Sequence, residues 1–358
     1  MTTDEAVVIA AREDALGHIT LNRPQAINAL TLEMVRLIDA ALDRFESDPR
    51  VSAVLIDGAG ERGFCAGGDI VALYEAAKAG DPTLPRDFWR EEYHLNARIA
   101  RYPKPIVAIM DGIVMGGGVG LAGHARHRVA TERLGIAMPE VGIGFTPDVG
   151  GTYLLSRAPD ELGVFLGLTG RRIGPEDALA AGLADTVVAR SAIPELAMRL
   201  RSGEVTSALT SAAPPADLPA GHLDAARDWI TGTFSAATVT EIVTRLRGRP
   251  EQEAHDAAET IMQKSPTSLV VTLRALRRAR ALRSLEACLC QEYRVSLAFL
   301  TTPDFVEGIR AAVVDKDRRP RWSPPTLAQV SEADADRFFD PLTDIRELEL
   351  TAWHRTST

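Results

Sequence analysis

The sequence predicts an α/β fold up to about residue 205 and a helical region after it. Three observations carry this. Short β-branched runs alternate with helix-like segments, several of them closed by glycine. The stretch TSALTSAAPPADLPAG, residues 206–221, is small, polar and rich in proline, as a linker or exposed loop would be. Beyond it no strand alternation returns. The domain plan is therefore an α/β core at 1–205 that carries the site, a linker at 206–222, and a helical region at 223–358.

The elements follow in order. VSAVLIDG (51–58) is short, β-branched and ended by glycine, which predicts a buried strand. DIVALYEAAKAG (69–80) predicts a helix with Asp69 near its start and Gly80 past its end. KPIVAIMDG (104–112) predicts a second buried strand, GGGVGLAGHA (116–125) a glycine-rich helix start, and RHRVAT (126–131) another strand. GPEDALAAG (174–182) has Pro175 in its first turn and a closing Gly182, so it predicts a helix, and ADTVV (184–188) a strand. Helices are then expected in EQEAHDAAETIMQ, SPTSLVVTLRALRRARAL and LEACLCQEYRVSLAFL. The residues past 323 are rich in Pro and Asp with helix-like patches. No repeat is strong enough in sequence identity to indicate a solenoid.

With 46% hydrophobic residues in 358, the chain can bury a sizeable core. A net charge of −9 argues against general nucleic-acid binding. Three cysteines, Cys65, Cys288 and Cys290, cannot build a disulfide framework and fit a reducing compartment. Cys288 and Cys290 have no histidine or second cysteine pair nearby, so no metal site is expected. No basic stretch followed by an apolar run opens the chain, and no apolar run of about 18 residues occurs. The expectation is a cytoplasmic protein with no signal peptide, no membrane span and no cofactor.

Three segments hold candidate chemistry. In AMPEVGIGFTPDVGG (137–151), Glu140 and Asp148 sit on a stretch with too much glycine and proline for a helix. Capping of the following helix is an alternative role for Asp148. In RGFCAGGDI (62–70), Gly67 and Gly68 let the backbone approach a ligand, and an N–H at such a turn can donate to a developing oxyanion. A tight turn needing glycine for steric reasons is the other reading. In MGGGVGLAG (115–123), three glycines open a helix whose first N–H groups have no intrahelical partner; close helix–strand packing is the alternative. Gly118, Gly120 and Gly123 also fit the dinucleotide pattern G-x-G-x-x-G, but that fingerprint follows the first strand of its fold, and here over a hundred residues precede it. The two histidines of HARH (124–127) read as surface or capping residues. The basic run LRALRRARALR (273–283) reads as a solvated helix face or as a docking face for a phosphorylated ligand. No G-x-S-x-G elbow or P-loop lysine occurs, which disfavours a serine hydrolase.

Taken jointly, HITLNRPQAINAL (18–30), GFCAGGDI, MGGGVGL and MPEVGIGFTPDVGG resemble, in order, the signature and site segments of the crotonase (enoyl-CoA hydratase/isomerase) superfamily. The resemblance implies a spiral of ββα units that binds an acyl-coenzyme A thioester. It places the two amides that hold the thioester oxygen at Gly68 and Gly117. Hydratases of the superfamily carry a glutamate just after the glycine run, where this chain has Gly120. The combination of Gly120, Glu140 and Asp148 resembles the 3-hydroxyisobutyryl-CoA hydrolase branch. DFWREEYHLN (87–96), which points to Glu92, SPTSLVVTLRAL, CQEYRVSLAF and DFVEGIRAAVVDKDRRPRWSP (304–324) fit that branch too.

That resemblance implies hydrolysis of a short β-hydroxyacyl-CoA thioester, as in valine breakdown. Glu140 would be nucleophile or general base, with Asp148 and Glu92 holding the 3-hydroxyl or water; a solvated face is the other reading for Glu92. Arg23, in LNRPQAINAL, is a candidate phosphate contact or an ordinary surface arginine. Coenzyme A is then part of the substrate, and self-association is expected. Two rivals stand beside this reading. A hydratase or isomerase using Glu140 alone would change the enoyl absorbance without releasing thiol. A non-catalytic coenzyme A- or RNA-binding protein on the same fold would bind without turnover.

Overall fold

Short aliphatic runs form nine strands among the described residues, and the computed structural model describes residues 6–218 and 220–350. The chain divides into two compact units, each discontinuous in sequence. The first comprises Met1–Gly68, His94–Ala137 and Ile173–Gly221, and it holds all nine strands. They are β1 (Val8–Glu13), β2 (Leu16–Leu21), β3 (Ala53–Gly58), β4 (Gly63–Cys65), β5 (Ile106–Met110), β6 (Ile113–Met115), β7 (His127–Thr131), β8 (Gly135–Ala137) and β9 (Thr186–Val188).

The strands make two sheets, one in the order β1-β2-β3-β5-β7-β9 and one in the order β4-β6-β8. Only β1 and β2 pair antiparallel; every other pair is parallel. Three times the chain lays a strand in the large sheet and the next strand in the small one: β3–β4, β5–β6 and β7–β8. This is the expected ββα spiral. The repeat lives in the backbone, with Ile113 opposite Gly63 on one side and Gly135 on the other. Strand β5 is buried at all five positions, as a parallel strand covered on both faces should be. Leu16, Leu55, Val107, Ile109, Val129 and Val188 form the core under the large sheet with Leu196 and Leu200. The stretch read as a linker begins inside the helix Val205–Ser211, whose Val205 and Ala208 join that core.

The second unit comprises Asp69–Tyr93, Met138–Arg172 and His222–Thr358, and its described elements are helices and turns. Polar side chains start its longest helices. Ser265 caps Pro266–Ala281 and Ser284 caps Leu285–Leu300, each accepting the N–H three residues on. Phe145 anchors the loop 138–151 in this unit. Its ring stacks on Trp89 at 5.4 Å and meets Phe299 and Phe305 at 5.6 and 5.5 Å.

Candidate active site

In the first unit, β4 and β6 are neighbours, so the glycine turns that follow them stand side by side. A Cβ on Gly67, at φ 110°, would lie 3.3 Å from the Met115 carbonyl and 3.7 Å from the Gly117 nitrogen. Gly68 and Gly117 are therefore brought onto adjacent turns. Gly117 opens the helix Gly117–Ala122, and the donors of a first helical turn have no partner inside the helix. Gly118 has a packing role as well: a Cβ there would sit 2.5 Å from the Cys65 carbonyl. That contact accounts for the first glycine of the G-x-G-x-x-G run.

Asn28, which no sequence motif marks, pins this region. It is fully buried in a left-handed conformation, and its Nδ2 donates to the carbonyls of Ala59, Gly63 and Phe64 at 3.0, 3.2 and 3.0 Å. Its Oδ1 accepts the Arg23 N–H at 2.9 Å. The signal was a polar residue between two apolar ones in a turn. The Arg23 guanidinium donates to the Ala29 carbonyl, so it serves this turn too.

The second unit holds the acids. Glu140 starts the 3-10 turn Glu140–Ile143, and Asp148 sits on the opposite arm of the same loop. The loop is fixed from several sides. Ser265 donates its N–H to the Val141 carbonyl, and the Thr146 and Thr272 hydroxyls lie 2.9 Å apart. Gly144, at φ 72°, runs so close to the Asp304 carbonyl that a Cβ would overlap it. Glycine and proline thus let the loop turn sharply while aromatic and polar anchors hold it.

Glu92, Glu140 and Asp148 are buried, at 2%, 5% and 6% exposure. The solvated-face reading of Glu92 is thereby excluded. Burial first, and Asp148's negative charge second, push Glu92 and Glu140 well above the usual carboxylate range. Burial also raises Asp148, but only to about 7, because Tyr93 and the residue's own backbone favour the charged form. The Tyr93 hydroxyl donates to Asp148 Oδ2 at 2.7 Å and lies 2.8 Å from Ser296 Oγ. Oε1 of Glu92 and Oε2 of Glu140 have no hydrogen-bond partner among the described residues. Such unpartnered buried oxygens suit groups that meet a substrate.

Asp148 does not cap the helix Gly151–Ser156 with its side chain; Glu292 takes that place. Its carboxylate accepts the N–H of Gly150 at 2.7 Å, the N–H of Thr152 at 2.9 Å and the Thr152 hydroxyl. Burial pushes Glu292 up to about 8 against those three donors. Its signal in the sequence was a lone acid on the apolar face of CQEYRVSLAF.

Other candidates find different roles. His124 is buried, and His127 lies in β7, where burial and Arg126 lower its proton affinity. Among the described residues no group of His, Cys, Asp and Glu could hold a metal ion. The basic run is neither simply solvated nor open for phosphate. Arg277 and Arg280 both grip Glu161, Arg274 takes Glu332 and Asp336, and Arg278 lies over the Phe339 ring at 4.6 Å.

Comparison with known proteins agrees with this geometry. A family model described as enoyl-CoA hydratase/isomerase matches residues 16–339. The Danio rerio protein named 3-hydroxyisobutyryl-CoA hydrolase, mitochondrial, is 45% identical over 344 residues, which is 93% of this chain and 89% of the relative. A solved carnitinyl-CoA dehydratase from Mycobacterium thermoresistibile superposes with a TM-score of 0.92 at 49% identity, covering 96% of this chain and 99% of that one. A solved enoyl-CoA hydratase from Rhodobacter sphaeroides gives 0.88 at 45% identity, covering 94% and 98%.

One expectation is overturned. The mitochondrial names of curated relatives point to the mitochondrion rather than the cytoplasm. Looking for a secretory leader tests export and is blind to an organelle matrix. No described helix is long and apolar enough to cross a membrane. On fold, family match and relatives together, the chain belongs to the enoyl-CoA hydratase/isomerase family, the crotonase superfamily.

Proposed function

We propose that the chain hydrolyses a short β-hydroxyacyl-CoA thioester, with 3-hydroxyisobutyryl-CoA, the compound in its curated relatives' names, as substrate. The observation that carries this is the buried trio Glu92, Glu140 and Asp148, with Gly120 where a hydratase of the superfamily would place a glutamate. Water addition across a double bond calls for two acids on the hydratase pattern. Thioester cleavage needs a nucleophile, an oxyanion cradle and a leaving group that departs readily.

In this reading the Gly68 and Gly117 amides stabilise the tetrahedral oxyanion, each worth ~3 kcal/mol of barrier. Glu140 attacks the carbonyl carbon to give a mixed anhydride, or takes a proton from the water that attacks. The C–S bond then breaks and coenzyme A leaves as a thiolate, which takes up a proton. On the anhydride route one water then cleaves the anhydride, releasing the acid and restoring Glu140; on the general-base route the attacking water already supplies the acid's hydroxyl. Asp148 and Glu92 hold the substrate's 3-hydroxyl or the water. Arg23 supports the turn that flanks the coenzyme A cleft. Coenzyme A is substrate and product, and no separate cofactor enters. The reaction belongs to the breakdown of valine, and the chain self-associates; light scattering on the purified protein tests the latter.

A second reading comes from the 49% identical structure named a carnitinyl-CoA dehydratase. A lyase acting through Glu140 alone would eliminate or add water and leave the thioester intact. Incubation with 3-hydroxyisobutyryl-CoA and with crotonyl-CoA separates the two. Free thiol from the first supports the hydrolase. Enoyl absorbance change with no thiol from either overturns it.

A further inference from the structure

We infer that Tyr93 and Ser296 form a two-hydroxyl relay that keeps Asp148 ionised and leaves the proton of the Glu92–Asp148 pair on Glu92. This rests on the hydrolase reading for its use, though not for its geometry. Tyr93 is fully buried and has one hydroxyl hydrogen, which it gives to Asp148 Oδ2 at 2.7 Å. Ser296 Oγ, also fully buried, lies 2.8 Å from the Tyr93 hydroxyl oxygen, whose own hydrogen is already given to Asp148, so Ser296 donates to Tyr93. Two hydroxyls thus line up toward one carboxylate. Glu92, the preceding residue on the helix Thr83–Arg101, has nothing comparable, and its buried Oε1 lacks any hydrogen-bond partner among the described residues.

Two close carboxylates in a dry site do not both ionise, and the charge settles where donors stabilise it. The groups that face Asp148 are acids and hydroxyls: Glu92 and Tyr93 from the Thr83–Arg101 helix, Glu140 from its own loop, and Glu292 and Ser296 from the Leu285–Leu300 helix. Tyr293 stands edge-on to Tyr93 at 6.2 Å, with the Arg90 guanidinium 4.9 Å over its ring. The proton affinities run the same way: burial raises both acids, the Asp148 charge adds to that rise at Glu92, and the Tyr93 hydrogen bond opposes it at Asp148.

The consequence is a division of labour. Ionised Asp148, with Oδ2 occupied by Tyr93, turns its other oxygen to accept a hydrogen bond from a β-hydroxyl. Protonated Glu92 is a donor to the same hydroxyl or to water. A substrate lacking that hydroxyl leaves both groups unpaired and is discriminated against. Tyr93 and Ser296 are positioning residues, since they act through Asp148.

The test uses the full chain with Tyr93→Phe and Ser296→Ala. In the substrate-free protein, 13C-carboxyl NMR titration follows Asp148, assigned by its loss in Asp148→Asn. Its midpoint should rise by about 1 pH unit in Tyr93→Phe and by less in Ser296→Ala. The acid limb of kcat/KM for thiol release should move up with it, giving roughly tenfold loss below the limb and recovery of most of that loss above it. A folded Tyr93→Phe protein with an unmoved Asp148 midpoint overturns the relay. Should Tyr93→Phe fail to fold, an unmoved midpoint in Ser296→Ala overturns it instead. If the wild type releases no thiol, the hydrolase reading fails while the titration still decides the relay.

Discussion

Glu292 receives the backbone N–H of Gly150 at 2.7 Å, two residues beyond Asp148 and 142 residues away along the chain. Between Asp148 and Gly150, Val149 adopts a φ of 53°. A β-branched residue in that region is strained by ~1–3 kcal/mol and persists only where its surroundings hold it. Glu292 supplies that hold by accepting from Gly150, Thr152 N–H and the Thr152 hydroxyl. Glu292→Ala strips three buried donors of their acceptor, so it should lower stability by about 1–3 kcal/mol or more, the cost of leaving buried donors unsatisfied. Denaturant unfolding monitored by circular dichroism measures this. Glu292→Gln keeps one acceptor oxygen and should lie between.

Gly144 gives a sharper steric prediction. Its φ of 72° disfavours any side chain, and the Asp304 carbonyl occupies the space a Cβ needs. Gly144→Ala should therefore cost more than the ~1 kcal/mol of a strained turn alone and disturb the loop that carries both acids. Thermal melting should show a clear drop, and thiol release should fall with it.

Phe145 joins the two arms of that loop to the aromatic wall of the second unit. Phe145→Ala leaves a cavity beside Trp89 and should destabilise the protein by about 3–5 kcal/mol. Phe145→Leu should retain most of the stability, since it fills part of the space. Urea midpoints for the two variants check the order.

Buried acids without cations should make stability depend on pH in a defined direction. Asp148 binds its proton more tightly folded, at about 7, than unfolded, near 3.8. Glu92 and Glu140 are raised in the same sense. Where the folded state holds more protons than the unfolded one, stability falls as pH rises. The loss begins above the unfolded values and continues through about 7. Asp148→Asn removes the charge and should raise the melting temperature at pH 8 by roughly 2–5 °C, with little effect at pH 4. Equal shifts at both pH values would contradict this.

Much of the fold was readable because β-branched runs such as AVLID and IVAIM carry a clear strand signal between glycine-bounded helices. The strands β4, β6 and β8 were hidden, since three residues are too few to show a period. Without them the second sheet, and the spiral it closes, came only through the family resemblance. Glu140 and Asp148 stood out because acids on a glycine-rich loop have no helical face to decorate. Tyr93, Ser296, Glu292 and Asn28 did not stand out. Each works through a contact across a long sequence separation, 203 residues for Tyr93 and Ser296. Nothing local marks a tyrosine in a charged helix as the partner of a distant aspartate.

Thiol release from 3-hydroxyisobutyryl-CoA by the wild type and by Glu140→Gln tests the central claim most directly. The wild type should liberate coenzyme A with no enoyl absorbance appearing. Glu140→Gln, which keeps the size of the side chain and removes its nucleophilic charge, should lose at least ~100-fold in kcat while melting at or above the wild-type temperature. A folded Glu140→Gln protein that still releases thiol at close to the wild-type rate would contradict the account.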